Sequence, residues 1–195
     1  MNINYENLDK LYQIYHICQE IYLSFDLYAV LKDNYPTDHD QTEKIILIKN
    51  ALLDFCVVNW GKILGNLNDK MNIEKILQDI GVIPEDMKKE YLNALQYEND
   101  EYDRMWQNLK DWRDKIIAHL DYKDVIGKKI STCYFEKIPI QCKSIAFYII
   151  KLFNDLYQCD KEFIFSADGK NYNLYEFSER MRRVWHEEAL DKPYE

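Results

Sequence analysis

Glycine and proline are scarce in this chain, at five and four of 195 residues. An all-β fold, whose many tight turns draw on both, is therefore not expected. The five cysteines (Cys18, Cys56, Cys133, Cys142 and Cys159) are odd in number and contain no CxxC pair. That argues against a disulfide framework and a zinc site, and for free thiols in a reducing cytoplasm. Long hydrophobic runs are missing too. Runs such as Ile45 to Ile48 and Ile145 to Ile150 are far below the ~20 residues that span a bilayer. The first twenty residues carry Glu6, Asp9, Lys10 and Glu20, so no signal-peptide apolar region is present. The expectation is a cytoplasmic chain with no membrane partner. Glycine-rich phosphate loops, HExxH, GxSxG and EF-hand loops are likewise absent, and neither a cofactor nor a metal is expected.

What is present suits one globular domain over 1–195. Hydrophobic residues make up 47% of the chain, too many for a disordered one. Sixteen tyrosines favour helix–helix seams with polar tips. The net charge of −9 speaks against general nucleic-acid binding, but the charge is unevenly spread. Residues 110–151 hold nine Lys/Arg against five Asp/Glu, a local +4 in an otherwise acidic chain. Such a zone is either a solvated charged face or a place to hold an anion.

Periodicity predicts helices. Over residues 5–33, Leu8, Leu11, Tyr15, Cys18, Tyr22, Phe25 and Ala29 keep a three-four spacing. Tyr35-Pro36-Thr37-Asp38 stops that helix. A second helix is expected over 40–66, with Ile45, Ile48, Leu52, Phe55 and Ile63 facing inward. Asn59 lies on that stripe, and Gly61 and Gly65, one turn apart, allow close approach by another backbone. A short helix over 72–80 closes at Gly81. A long helix follows over 85–120, bent or broken near Glu98-Asn99-Asp100-Glu101. Its second part carries Tyr102, Met105, Leu109, Trp112, Ile116 and Leu120 on one stripe. Residues 121–138 read as a loop with a short strand near Ser131 to Phe135. Pro139 opens a helix that buries Ile145, Ile149, Leu152 and Leu156. Phe163 to Tyr172 reads as a small hairpin or tight loop, and a last helix over 173–190 carries Leu174, Phe177, Met181 and Val184. The fold class is all-α: an up-and-down bundle of four to five long helices with short extras.

Of four histidines, His119 has the most telling company, with Arg113 and Asp114 just before it. An imidazole moves protons near neutral pH. A guanidinium grips phosphate oxygens, and a carboxylate can orient either. Together they suffice for phosphodiester cleavage in which a 2′-hydroxyl attacks the adjacent phosphorus. On an ideal helix Arg113 and His119 stand about 120° apart with a rise of roughly 9 Å. They do not share a face, so a distorted last turn or a second subunit is needed. The plain alternative is a histidine favoured by a helix C-terminus.

The string Trp112-Arg113-Asp114-Lys115-Ile116-Ile117-Ala118-His119-Leu120-Asp121 resembles the signature of the HEPN superfamily: Arg, then Asn, Asp or His, then four to five residues, then His, at the end of a long bundle helix. The layout is similar to that of the abortive-infection HEPN toxins over a core of about 40–160. The resemblance implies a metal-independent endoribonuclease, acting on RNA as a homodimer with a composite active site, in antiphage defence or beside an antitoxin or regulatory protein. It makes Arg113, Asp114 and His119 the catalytic set, with products ending in a 2′,3′-cyclic phosphate and a 5′-hydroxyl. Asn59 would either support this polar site or serve as a satisfied core amide. HEPN toxins paired with a nucleotidyltransferase antitoxin carry Tyr two residues after the His. Asp121 stands there, which departs from that mode. Two rivals stand beside the ribonuclease: a non-catalytic HEPN-like scaffold that binds nucleotide, RNA or a partner protein, and a purely structural helical protein.

Overall fold

The computed structural model describes residues 5–35, 43–114, 134–159, 161, 164–167 and 170–189. The elements run α1 (Tyr5–Asn34), α2 (Glu43–Leu64), α3 (Ile73–Asp79), α4 (Pro84–Leu95), α5 (Asn99–Trp112), α6 (Lys137–Cys159), β1 (Ile164–Ala167), β2 (Lys170–Asn173) and α7 (Leu174–Ala189). The fold is all-helical apart from the small antiparallel hairpin β1–β2, paired from Ile164↔Asn173 to Ala167↔Lys170. No helix among the described residues is long and apolar enough to cross a membrane.

The helix α1 forms because no breaker interrupts its stripe, and Leu8, Leu11, Tyr15, Cys18, Tyr22 and Phe25 are all buried. Ile14 and Ile21 widen that face. Burying each such side chain is worth about 1.5–3 kcal/mol, so tertiary packing rather than propensity holds the helix. Its main partners are α2 and α6. The α1–α2 pair is antiparallel: Cys56 Sγ donates to the Ile21 carbonyl and Lys49 Nζ to that of Tyr35. Helix α6 is the central element and packs on α1, α4, α7 and α2. Ile145, Ile149, Leu152 and Leu156 are buried as expected, with Ile138, Cys142, Phe153 and others around them. Helix α7 buries Leu174, Phe177 and Met181 and is tied to α1 by the Tyr15 hydroxyl, which donates to the Met181 carbonyl at 2.8 Å.

Three local outcomes sharpen or change the periodic reading. The break near residue 98 is complete. Gln96 takes a left-handed φ of 56° and ends α4. Glu98 then starts α5 with a reciprocal capping box to Glu101. Of the short strand expected near Ser131 to Phe135, residues 131–133 lie outside the described residues, while Tyr134 and Phe135 lie in a turn that leads into α6, which begins at Lys137. On α2 the core side is Cys56, Val57, Trp60 and Ile63. Of the residues expected to face inward, Ile63 does, whereas Ile48 and Phe55 are exposed. This helix is apolar on more than one side, so its period does not say which side the chain covers. Cys18, Cys56, Cys142 and Cys159 are free thiols, and burial pushes the Cys56 thiol up to about 12.

Candidate active site

The candidate site begins where α5 ends. Helix α5 places Trp106 and Arg113 on one side, since residues seven apart return to the same face. Trp106 fixes that side against α2, because its indole Nε1 donates to the Leu64 carbonyl at 2.8 Å. The last turn then loosens: Arg113 and Asp114 continue the helix as a π-type turn, a local widening that is frequent at functional sites. The rest of the turn that would carry His119 towards Arg113 lies outside the described residues.

Arg113 lies in a slot made by missing side chains. A Cβ on Gly61 would stand 2.7 Å from Arg113 Cδ and 2.9 Å from Nη1. A Cβ on Gly65 would overlap Arg113 Nη1 and the Gly61 carbonyl. The two glycines therefore admit an arginine side chain rather than another backbone. Nη1 faces the Gly61 carbonyl at 3.4 Å. Asp114 holds the other edge of the guanidinium: Nε donates to its Oδ1 at 2.8 Å, and Nη2 lies 2.7 Å from the same oxygen. These contacts engage three of the five N–H donors of the group. Arg113 is 24% exposed and Asp114 45% exposed, so the pair borders solvent at the mouth of the slot.

A second carboxylate lies nearby. Asp54 shares a face of α2 with Gly61, seven residues on, and is half-buried beside Trp112. Burial raises its carboxyl above the usual range, and the Trp112 indole draws it part of the way back. The geometry stops short of a formed bond, and among the described residues the buried Trp112 Nε1 makes no hydrogen bond. No sequence pattern pointed to Asp54. Its link to Trp112 crosses from one helix to another, and only the antiparallel packing of α5 on α2 produces it.

Arg113 and Asp114 are thus brought together, whereas His119 lies outside the described residues. Asn59 is not brought to them. It stands two residues from Gly61, about 200° round the helix. Its amide is satisfied on α2 itself, donating to the Phe55 carbonyl at 3.0 Å and accepting from Lys62 Nζ at 2.9 Å. Asn59 is thus a satisfied, buried amide that forms no hydrogen bond with Arg113 or Asp114 among the described residues. Behind the slot, Gln141 of α6 accepts from Trp60 Nε1 at 2.9 Å and donates to the Tyr102 hydroxyl at 3.1 Å. This buried bridge ties α2, α5 and α6 into one frame around Gly61.

The profile of the HEPN_AbiU2 family, described as AbiU2, matches residues 10–157. The match takes in most of α1, runs through the motif and ends near the end of α6. No curated protein matches the chain, and no solved structure does.

Proposed function

The chain belongs to the AbiU2 family of abortive-infection HEPN proteins, and from that premise we propose that it is a metal-independent endoribonuclease. One observation carries the reading. The arginine that opens the motif is seated in a glycine slot at the loosened end of α5, with Asp114 gripping its guanidinium. A preorganised guanidinium at a solvent border suits a phosphate whose charge grows in the transition state. In this scheme Arg113 binds the scissile phosphate and Asp114 positions Arg113. His119 removes the proton from the 2′-hydroxyl or orients that group, and the products end in a 2′,3′-cyclic phosphate and a 5′-hydroxyl. The substrate is RNA, the setting is cytoplasmic antiphage defence or a toxin–antitoxin pair, and an antitoxin or regulatory protein restrains the activity.

The active form in this proposal is a homodimer with a composite site. An ideal helix does not put Arg113 and His119 on one face, so a second copy is the direct way to complete the set. The stripe Ile48, Leu52 and Phe55 supports this. Its spacing is that of a buried face, yet Ile48 and Phe55 are exposed in the single chain.

The test is toxicity on expression of wild type against His119→Ala and Arg113→Ala, followed by cleavage of RNA by the purified chains with and without EDTA. A toxic wild type, harmless variants and EDTA-resistant cleavage are expected. Cleavage that vanishes with EDTA but survives His119→Ala would overturn the mechanism. Folded wild type that binds RNA and never cuts it would favour the scaffold.

A further inference from the structure

Beside the Arg113 slot lies a cavity of about 270 Å³, between the end of α2, the start of α3 and the middle of α5. Gly65 borders both: it lines the cavity, and a Cβ on it would overlap the Arg113 guanidinium. The cavity is slightly smaller than sites that hold drug-sized ligands, which suits a single planar ring system. Its walls include Trp106, Asn72, Glu74 and Asp103. The Trp106 ring is held in place by its bond to the Leu64 carbonyl, and a fixed aromatic wall is a platform for a base.

The polar groups of the cavity are arranged by type. Asn72 is 1% exposed. Its Oδ1 is spent capping α3, accepting the Lys75 backbone N–H at 3.1 Å. That bond fixes which end of the amide is oxygen, and among the described residues Asn72 Nδ2 donates no hydrogen bond. Glu74 offers the opposite chemistry. Its carboxyl is half-buried and raised by that burial, drawn part of the way back by Lys88 and pushed up further by Glu85. Among the described residues it forms no hydrogen bond and no ion pair. Asp103 adds a second acceptor at the rim. One amide donor beside carboxylate acceptors repels a phosphate but complements a base edge that presents one acceptor and two donors. Guanine has that edge: O6 accepts, and N1–H and N2–H donate. Adenine, cytosine and uracil present different orders of donors and acceptors on their Watson–Crick edges.

We propose that this cavity is a guanine subsite, in which Asn72 donates to O6 and Glu74 accepts from N1–H and N2–H, while Arg113 holds the phosphate of the same nucleotide. The assignment rests on the ribonuclease reading for its substrate class, but base recognition is measurable without turnover. The probes are guanosine, inosine and adenosine 3′-monophosphates, titrated calorimetrically into the full chain carrying His119→Ala. Inosine keeps O6 and N1–H and lacks only the 2-amino group. The guanosine probe should bind about ten- to a hundredfold more tightly than the other two, the range for a good bidentate contact to a base. Glu74→Gln, checked for an unchanged unfolding midpoint, should reduce that preference to within a few-fold. Asp103→Asn should weaken it less, because Asp103 is at the rim. Arg113→Ala should weaken all three probes by a similar factor. Equal affinity for the three, no saturable binding of any, or a preference that survives Glu74→Gln would overturn the subsite. Failure of the ribonuclease reading would look different: a guanosine preference that persists in a chain whose wild type cuts no RNA.

Discussion

Gly61→Ala tests whether the slot holds Arg113. In an exposed helix interior the change would stabilise the chain by up to about 1 kcal/mol, because alanine is the better helix former. Here the new methyl would lie 2.7 Å from Arg113 Cδ and 2.9 Å from Nη1, well inside the ~3.5–4.0 Å of ordinary contact. Arg113 is flexible and partly exposed, so it can withdraw, but only by leaving the Gly61 carbonyl and shifting its pair with Asp114. Overpacking of this kind costs about 1–3 kcal/mol. The net effect on stability therefore lies between about neutral and about 2 kcal/mol destabilising. A double-mutant cycle separates the two contributions. With Arg113→Ala in place the clash is gone, and Gly61→Ala should raise stability by about 1 kcal/mol, or roughly 2–4 °C in a chain of this size. Unfolding of the four chains in urea, followed by circular dichroism, gives a coupling of about 1–3 kcal/mol if the slot is real. Cleavage by folded Gly61→Ala should fall with it. Additivity within about 0.5 kcal/mol would refute the reasoning, since residues that do not touch do not couple.

Two further changes probe the frame and the second carboxylate. Gln141→Leu strands the Trp60 N–H and the Tyr102 hydroxyl in the core, so a loss of about 2 kcal/mol or more is expected in urea unfolding. A chain that unfolds at the wild-type midpoint would show that the bridge contributes nothing. Asp54→Asn addresses a carboxyl whose proton is held more tightly in the folded chain than in the unfolded one. A raised folded-state pKa gives stability that is present below the ordinary carboxylate range and lost as pH climbs through the raised value. The variant should therefore gain midpoint over wild type at pH 7, and that gain should shrink towards pH 4. The opposite trend would mean that Trp112 outweighs burial at Asp54.

Much of the fold is legible in the residues because α1, α6 and α7 each carry an apolar stripe with no breaker beyond the first turn. Leu8 to Phe25, Ile145 to Leu156 and Leu174 to Met181 are buried where a 3.6-residue period puts them. Helix α2 defeats the same rule. Ile45, Ile46, Leu47, Ile48, Leu52, Leu53, Phe55 and Val57 surround it with apolar groups, and only the positions of α1 and α6 select the side with Trp60 and Cys56. A period tells that a face favours burial, not what buries it. The site divides in the same way. Arg113 and Asp114 are recognisable from residue type and order. The slot that seats Arg113 pairs it with a glycine 52 residues earlier, and no local pattern encodes that meeting. Gly61 and Gly65 signal a close approach, but glycine says only that something comes near.

The unmatched stripe on α2 leads to the prediction with the widest consequence. Ile48 and Phe55 lie seven residues apart on one face and remain 48% and 38% exposed. If a second copy covers them, Phe55→Lys should convert a dimer into a 23.6 kDa monomer in sedimentation at micromolar concentration. Phe55 is 38% exposed in the single chain, so an unfolding midpoint of Phe55→Lys at the wild-type value separates loss of the dimer from unfolding. Wild type sedimenting as a monomer while cleaving at full rate would remove the composite site. Mixing provides the sharper discrimination. Chains with Arg113→Ala and chains with His119→Ala are each expected to be inactive alone. In a two-fold dimer that draws Arg113 from one copy and His119 from the other, a mixed pair has one complete site and one empty one. Random exchange makes half of the dimers mixed, so about a quarter of the wild-type rate should return. A site built within one chain has both kinds of copy broken and recovers nothing. Recovered cleavage would also require the two subunits to meet with Arg113 already seated, which Gly61→Ala on the His119→Ala copy should abolish while the same change on the Arg113→Ala copy should not.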